Sequence, residues 1–365
     1  MPSSHVKVMF HIGLEKTGTK SFQRFCTRHA RRLLKHDVLY PKRSSAFYAL
    51  NHAPLTASYL PLERPYDFHL QPTAASCEMV KSLKCEIESS GVPTVIISSE
   101  HLSSRFRAPQ IVKLADDFNE YECQVVIVLR NHFSRFFSSY STHVMSGSVQ
   151  TLDEYAEMVL LPDNLYVRYA DTIKLWESSF GVKNLIILDY DESSNIIYSI
   201  LSKIGIPGLR NLRIDAHKSN ASLDANATEA LRLFTIASQS EREYKSKTPY
   251  IEFIKQQYVR SVLRNKLQSE NNYPNWRLSL PYSKQLFDIS EADSVWLAKN
   301  YALSLSSVKK TSLPEANSES AQRDVPILLA KTLAQTMFAR WSIYRLNMVL
   351  LAVFFLALKR LRGIR

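Results

Sequence analysis

Cysteine and glycine are both scarce in this chain, which has four of the first and eight of the second in 365 residues. Cys26, Cys77, Cys85 and Cys123 show no CxxC spacing and have no histidines at zinc-finger distance, so neither a structural zinc nor a disulfide framework is indicated and reduced thiols are expected. A leader-like apolar run is missing from the start. Met1-Pro2-Ser3-Ser4 leads at once into Val6-Lys7-Val8-Met9-Phe10, without the charged stretch and extended apolar core of a cleaved secretory signal, so the folded part is expected in the cytoplasm. No internal repeat is visible. Hydrophobic residues at 45% and charged residues at 22% are ordinary for globular proteins and argue against a disordered, collagen-like or polytopic membrane chain. Acidic residues are in deficit, 34 against 46 Lys and Arg, for a net charge of +12. That balance suits an anionic ligand, nucleic acid or an anionic membrane surface without choosing among them.

What is present is a succession of apolar strands and helical stripes. Residues 6–12 read as a strand, and the stretch from Thr19 opens a helix whose Phe22, Phe25, Cys26, Ala30, Leu33 and Leu34 recur at helical spacing. Further strands are expected at 94–98, bounded by Gly91 and Pro93, at 124–129 and at 184–188. They run into Ser99-Glu100-His101, Arg130-Asn131 and Asp189 respectively. Leu165, Tyr169, Ile173, Trp176 and Phe180 mark a helix stripe closed by Gly181, a residue suited to the left-handed cap. Residues 40–71, rich in Pro, His, Tyr and Ser, read as irregular covering structure of the kind that shapes substrate pockets. Continuous apolar strands separated by helices predict the α/β class, a mainly parallel sheet flanked by helices. In that class ligands sit at the carboxyl ends of the strands, which directs attention to the loops there.

Gly13-Leu14-Glu15-Lys16-Thr17-Gly18-Thr19-Lys20-Ser21 is the strongest chemical signal. A glycine turn entering a helix aims several backbone N–H groups at one spot, where the helix dipole adds partial positive charge. Lys16 can meet the same anion, and the hydroxyls of Thr17, Thr19 and Ser21 are expected to add donors. The spacing is not that of a standard Walker A loop, which needs Lys directly after the second glycine, where this chain has Thr19. His11, just before the loop, is expected to be a hydrogen-bonded core residue.

Lys16-Thr17-Gly18-Thr19 after a strand resembles the 5′-phosphosulfate loop of sulfotransferases that use 3′-phosphoadenosine 5′-phosphosulfate (PAPS), and the wording from Phe10 to Thr19 is most similar to their bacterial carbohydrate-type branch. Where many members have a second Thr, this chain has Lys20. In that family an Arg at a strand end and a Ser eight residues later bind the 3′-phosphate, and Arg130 and Ser138 match that pair. Weaker likeness covers residues 97–102, 166–192 and 220–232, so the resemblance spans roughly the first two thirds of the chain. It implies a P-loop NTPase-like sulfotransferase fold and transfer of a sulfuryl group from PAPS to a hydroxyl of a carbohydrate, glycolipid or similar acceptor. The implied donor-binding residues are Lys16, Thr17, Gly18, Thr19, Lys20, Ser21, Arg130 and Ser138. The resemblance further implies that Lys16 stabilises the leaving phosphate and that Glu100 or His101 acts as base. No metal is expected, because sulfuryl carries less charge than phosphoryl and needs no bridging Mg²⁺.

The expected organisation is a PAPS-binding core over 1–225, a helical extension over 226–308, a polar linker over 309–325 and a C-terminal helix over 326–365. Residues 348–358 are apolar throughout and precede Lys359, Arg360, Arg362 and Arg365. As a helix this run covers about 16 Å against about 30 Å of hydrocarbon, too little to span a bilayer. With Trp341, Tyr344 and Arg345 it reads either as an amphipathic helix lying at the inner face of a membrane or as one packed on the protein or on a second subunit. Two other functions fit parts of the sequence. A P-loop kinase or NTPase would use Lys20 and Ser21 on the phosphates with Asp189 holding Mg²⁺. A basic nucleic-acid or membrane-binding protein would rest on net charge and tail alone, and no nucleic-acid motif is found, so no nucleic-acid partner is expected.

Overall fold

A computed structural model describes residues 6–61, 75–205, 223, 225–240, 276 and 278–305. The expected linker at 309–325 and the C-terminal helix at 326–365 lie outside these residues. In chain order the elements are β1 (Lys7–His11), α1 (Thr19–Lys35), β2 (Val38–Leu39), α2 (Ala53–Ser58), α3 (Ser76–Ser90), β3 (Thr94–Ser98), α4 (His101–Arg105) and α5 (Ala108–Asp117). Then follow β4 (Glu122–Leu129), α6 (His132–Met145), α7 (Leu152–Val159), α8 (Tyr169–Phe180), β5 (Leu185–Asp189), α9 (Ile196–Lys203), α10 (Ala225–Ser240) and α11 (Leu280–Tyr301).

The strands pair in the order β2-β3-β1-β4-β5, and every pairing is parallel. The expected α/β architecture is therefore the one observed. Its cause is legible in the strand alternation. Phe10, Val95, Ile97, Val125 and Ile127 enter one apolar cluster with Met79 and Leu83 of α3, Ile111 and Leu114 of α5, and Ile173 and Trp176 of α8. Met9, Ile96, Val126, Val128 and Leu188 enter the other with Phe22, Cys26 and Leu33 of α1 and Ile197 and Ile200 of α9. A sheet buried on both faces needs apolar residues at odd and even positions alike, which is why these strands read as continuous runs.

The chain divides into two units, the first comprising Met1–Ser139, Ala156–Ser219 and Pro281–Leu313 and the second Tyr140–Tyr155, Asn220–Leu280 and Pro314–Arg365. The first holds the sheet. Within it α11 is fastened by Asp293, whose carboxylate accepts the backbone N–H of Tyr169 at 2.8 Å and of Ala170 at 3.0 Å, satisfying donors at the start of α8. In the second unit, Tyr140 packs edge-on against Trp276, and Arg232 bonds Glu229 and the carbonyl of Val149.

Three details depart from the sequence reading. A two-residue strand, β2, occupies one edge of the sheet, and the stretch expected to be irregular contains α2, five of whose six residues are buried. Gly181 ends α8 with φ 78° and ψ 145°, which is not the left-handed cap. The chain passes at once into a 3-10 turn over Val182–Asn184, while the Gly181 N–H still donates to Glu177 O at 2.8 Å.

Candidate functional site

Because β1 lies between β3 and β4, the loop leaving it opens at the middle of the sheet's C-terminal edge. The loop separates from the sheet gradually, since Ile12 N–H still donates to Val126 O at 3.1 Å and Leu14 N–H to Val128 O at 3.4 Å. It then bends through residues of positive φ, including Lys16 at 72° and Gly18 at 82°. A Cβ on Gly18 would lie 3.0 Å from the Tyr190 ring and 3.1 Å from Ile196, so backbone conformation and space both require glycine there. Lys16 adopts a comparable conformation with a side chain, at a cost on the order of 1 kcal/mol. Gly18 O accepts the N–H groups of Ser21 at 2.9 Å and Phe22 at 3.1 Å and so starts α1. Donors ahead of Ser21 are those that every helix start leaves over, and the dipole of a 17-residue helix adds to them. The result is an anion cradle made of backbone.

The threonine hydroxyls are placed differently from expectation. Thr17 and Thr19 are buried, and each hydroxyl donates to Leu14 O, that of Thr19 at 3.4 Å. The bend after Gly13 leaves that carbonyl facing both of them, so the Thr17 hydroxyl braces the loop and that of Thr19 lies at the edge of bonding distance. Lys20 and Ser21 stand exposed in the first turn of α1.

Lys16 and Arg130, 114 residues apart, meet: Arg130 Nη1 donates to Lys16 O at 3.2 Å. The proton affinity of the Lys16 ammonium is lowered, first by burial, then by the charge of Lys20, with Arg130 acting in the same sense and Glu15 opposing. A bound anion would relieve this crowding of cations. The Arg130 guanidinium lies 5.1 Å from the Tyr190 ring centroid, and its Nε is 3.5 Å from Asp191 Oδ1 yet makes no hydrogen bond among the described residues. Asp191 also accepts the N–H of Asn131 at 2.8 Å, and Tyr169 donates its hydroxyl to Arg130 O at 2.8 Å, so the end of β4 is held from two sides. Ser138 sits two turns into α6, about 9 Å along the axis from His132, and at 7% exposure it is not on a solvated face.

Arg135 was not singled out by sequence. It is almost fully buried on α6, where its Nε donates to Glu15 O at 3.0 Å, its Nη1 donates to Tyr166 O, and its guanidinium stacks 3.9 Å from the Tyr166 ring centroid. It is thus a strut between α6 and the loop. The available signal was an arginine placed between Phe133 and Phe136.

Glu100 occupies the cap position of α4, but its side chain makes no capping bond. Its carboxylate instead accepts from Gln23 Nε2 of α1 at 2.7 Å, and the same amide lies 3.3 Å from Ser98 Oγ. Ser98 Oγ in turn is 2.8 Å from His11 Nδ1. Gln23 is 0% exposed and Glu100 is 7% exposed, so this polar chain runs through the interior below the loop. Ser103 Oγ bridges the two strand ends, lying 2.7 Å from Gly13 O and 2.9 Å from Glu100 O with its one proton shared between the two carbonyls. His101, the first residue of α4, is half-buried, and burial lowers its proton affinity more than Glu100 and Glu15 raise it. His11 is the expected core histidine, pushed down to about 3 by burial and therefore neutral.

Asp189 ends β5, which is separated from β1 by β4 and so by about 10 Å of strand spacing. Its Oδ1 accepts the N–H of Asp191 at 2.8 Å, and Oδ2 is buried without a hydrogen bond. Among the described residues no group of three or more His, Cys, Asp and Glu is disposed to hold a metal ion, and no helix is long and apolar enough to cross a membrane.

No protein-family model matches the chain, and no curated protein matches it in sequence. Among solved structures, a sulfotransferase from Alicyclobacillus acidocaldarius is similar at 13% identity and a TM-score of 0.43, over 81% of this chain and 96% of that one. A likeness at that level carries no argument about the site, which rests on its own residues.

Proposed function

We propose that this chain is a sulfotransferase that moves a sulfuryl group from PAPS to a hydroxyl of a carbohydrate, glycolipid or similar acceptor. The observation that carries the reading is the meeting of Lys16 and Arg130, from the ends of two neighbouring strands, at one anion cradle. PAPS bears anionic groups at both ends of one adenosine, and this site offers two cationic elements of matching kind. In this reading the backbone of residues 16–21 holds the 5′-phosphate, and Arg130 with Ser138 holds the 3′-phosphate. The planar guanidinium of Arg130 suits that task, with Asp191 3.5 Å from its Nε as the charge that a phosphate would join.

Sulfuryl transfer places the acceptor oxygen opposite the leaving phosphate, so positioning and charge stabilisation supply most of the rate. Lys16, partly desolvated and pressed by two other cations, gains most from negative charge growing beside it. The base is Glu100, oriented by Gln23, or His101, which burial keeps largely neutral and able to accept a proton.

The test is ligand-induced stabilisation of the purified protein. Metal-free 3′,5′-ADP at a hundredfold excess over its Kd should add about 2.7 kcal/mol and raise Tm by several degrees. Lys16→Ala should abolish transfer from labelled PAPS, and Arg130→Ala should weaken nucleotide binding at least tenfold. Stabilisation by Mg-ATP alone would replace this reading with a kinase using Lys20, Ser21 and Asp189. Salt-sensitive DNA binding with no nucleotide effect would replace it with a nucleic-acid protein.

A further inference from the structure

The outer side of α1 carries a charge pattern that begins at the cradle with Lys20 and extends well beyond it. The helix contains no Asp or Glu, and Lys20, Arg24, Arg28, Arg31 and Lys35 are all exposed. At 3.6 residues per turn these five fall within an arc of about 80° and form a nearly straight row about 22 Å long. Arg32 stands exposed beside the row, and exposed Asp37 follows the helix end. Leu34, on the flank of the arc, is 43% exposed, although it continues a helix whose other large apolar residues, Phe22, Phe25 and Leu33, are buried. Lys42 adds a further cation, its Nζ bonded to Thr27 O at 3.3 Å.

We infer that this face of α1 docks the protein on an anionic bilayer surface. A straight row of cations matches a plane of anionic headgroups along its whole length, each residue adding to the attraction. An exposed leucine beside the row suits the headgroup boundary, where an apolar side chain gains, and has no counterpart on a phosphate backbone. The row carries no aromatic side chain on which bases could stack, which favours a lipid surface over single-stranded nucleic acid. A second part of the chain has the same chemistry, since residues 348–358 are apolar and Lys359, Arg360, Arg362 and Arg365 follow. Because the row starts at Lys20, docking sets the cradle at the membrane surface. The inference stands whatever reaction the cradle serves.

The experiment is co-sedimentation of the full chain with vesicles of phosphatidylcholine alone and of phosphatidylcholine with 30 mol% phosphatidylserine, at about 0.1 and about 0.5 M NaCl. Binding is expected only to the anionic vesicles and is expected to weaken at high salt. The triple variant Arg24→Gln/Arg28→Gln/Arg31→Gln should bind about a hundredfold more weakly, at roughly fivefold per cation removed. Far-UV circular dichroism and a cooperative melt establish that the variant is folded before its binding is compared with the parent's. If that variant does not fold, the single variants are read instead, each with a severalfold loss. Undiminished vesicle binding by a folded variant would show that the tail alone binds and would overturn the inference. Binding to a DNA duplex but not to anionic vesicles, lost in the same variant, would overturn it in favour of nucleic acid.

Discussion

The bond between Gln23 and Glu100 makes a prediction that does not depend on the reaction. Gln23 is sealed in the interior and gives one amide N–H to a carboxylate 2.7 Å away. The direction of the amide follows from the pair, since the flipped form would set its oxygen against a carboxylate oxygen. Gln23→Met removes the donor and leaves the buried carboxylate with one partner fewer, at a cost of about 1.5–3 kcal/mol. Glu100→Met strands the amide instead and costs about 1–3 kcal/mol. The double variant leaves neither group without its partner, so its cost should fall below the sum of the two by at least about 1.5 kcal/mol. Urea unfolding of the four proteins at pH 7.5, followed by tryptophan fluorescence, measures the cycle directly. Costs that add to within about 0.5 kcal/mol would refute the bond as an energetic unit, and with it the claim that Gln23 orients Glu100.

Two further predictions concern stability. His11 and His52 are fully buried, and burial moves them from the usual 6.5 to about 3 and about 4. As pH falls, the unfolded chain therefore binds protons before the folded one. The stability from keeping these rings neutral is complete above pH 6.5 and is lost on the way down to pH 4 and below. His101 and His132 are lowered by the same cause and act in the same sense. At pH 5 the loss is on the order of 2 kcal/mol for each fully buried ring, so an equal urea midpoint at pH 7.5 and pH 5 would contradict the assignment. Second, Gly18→Ala should cost more than Gly91→Ala. Both glycines have positive φ, 82° and 66°, but the added Cβ meets the Tyr190 ring at 3.0 Å in the first case and nothing within 4 Å in the second. The second change is expected to cost about 1–2 kcal/mol from backbone conformation alone and the first about 1 kcal/mol more. Equal midpoints would mean that Tyr190 yields freely.

What could be read from the sequence was whatever had a period or a boundary. β1, β3, β4 and β5 each contain a continuous run of at least three apolar residues because both faces of the sheet are covered, and Gly91 with Pro93 marks where one of them begins. β2 has two residues, too few for any period, and α2 is buried nearly all round, so it shows no polar stripe to contrast with an apolar one. The same distinction runs through the site. The glycine loop and Arg130 could be placed from sequence because each follows a strand, and neighbouring strands bring their ends together.

Gln23 and Arg135 could not be placed in the same way, although each carried a hint, a polar residue lodged among Phe22, Phe25 and Cys26 or between Phe133 and Phe136. Their partners, Glu100 in one case and the carbonyls of Glu15 and Tyr166 in the other, come from distant segments that only the packed helices bring within bonding distance. A buried polar group requires such a partner, but the requirement names no residue. The threonines show the converse. Their hydroxyls read as ligand donors because they lie in a loop rich in donors, whereas the bend after Gly13 brings the carbonyl of Leu14 toward both of them. In a loop this tight a backbone carbonyl competes with any ligand for the side-chain donors, which is why the proposed reading assigns the anion to the backbone N–H groups ahead of Ser21.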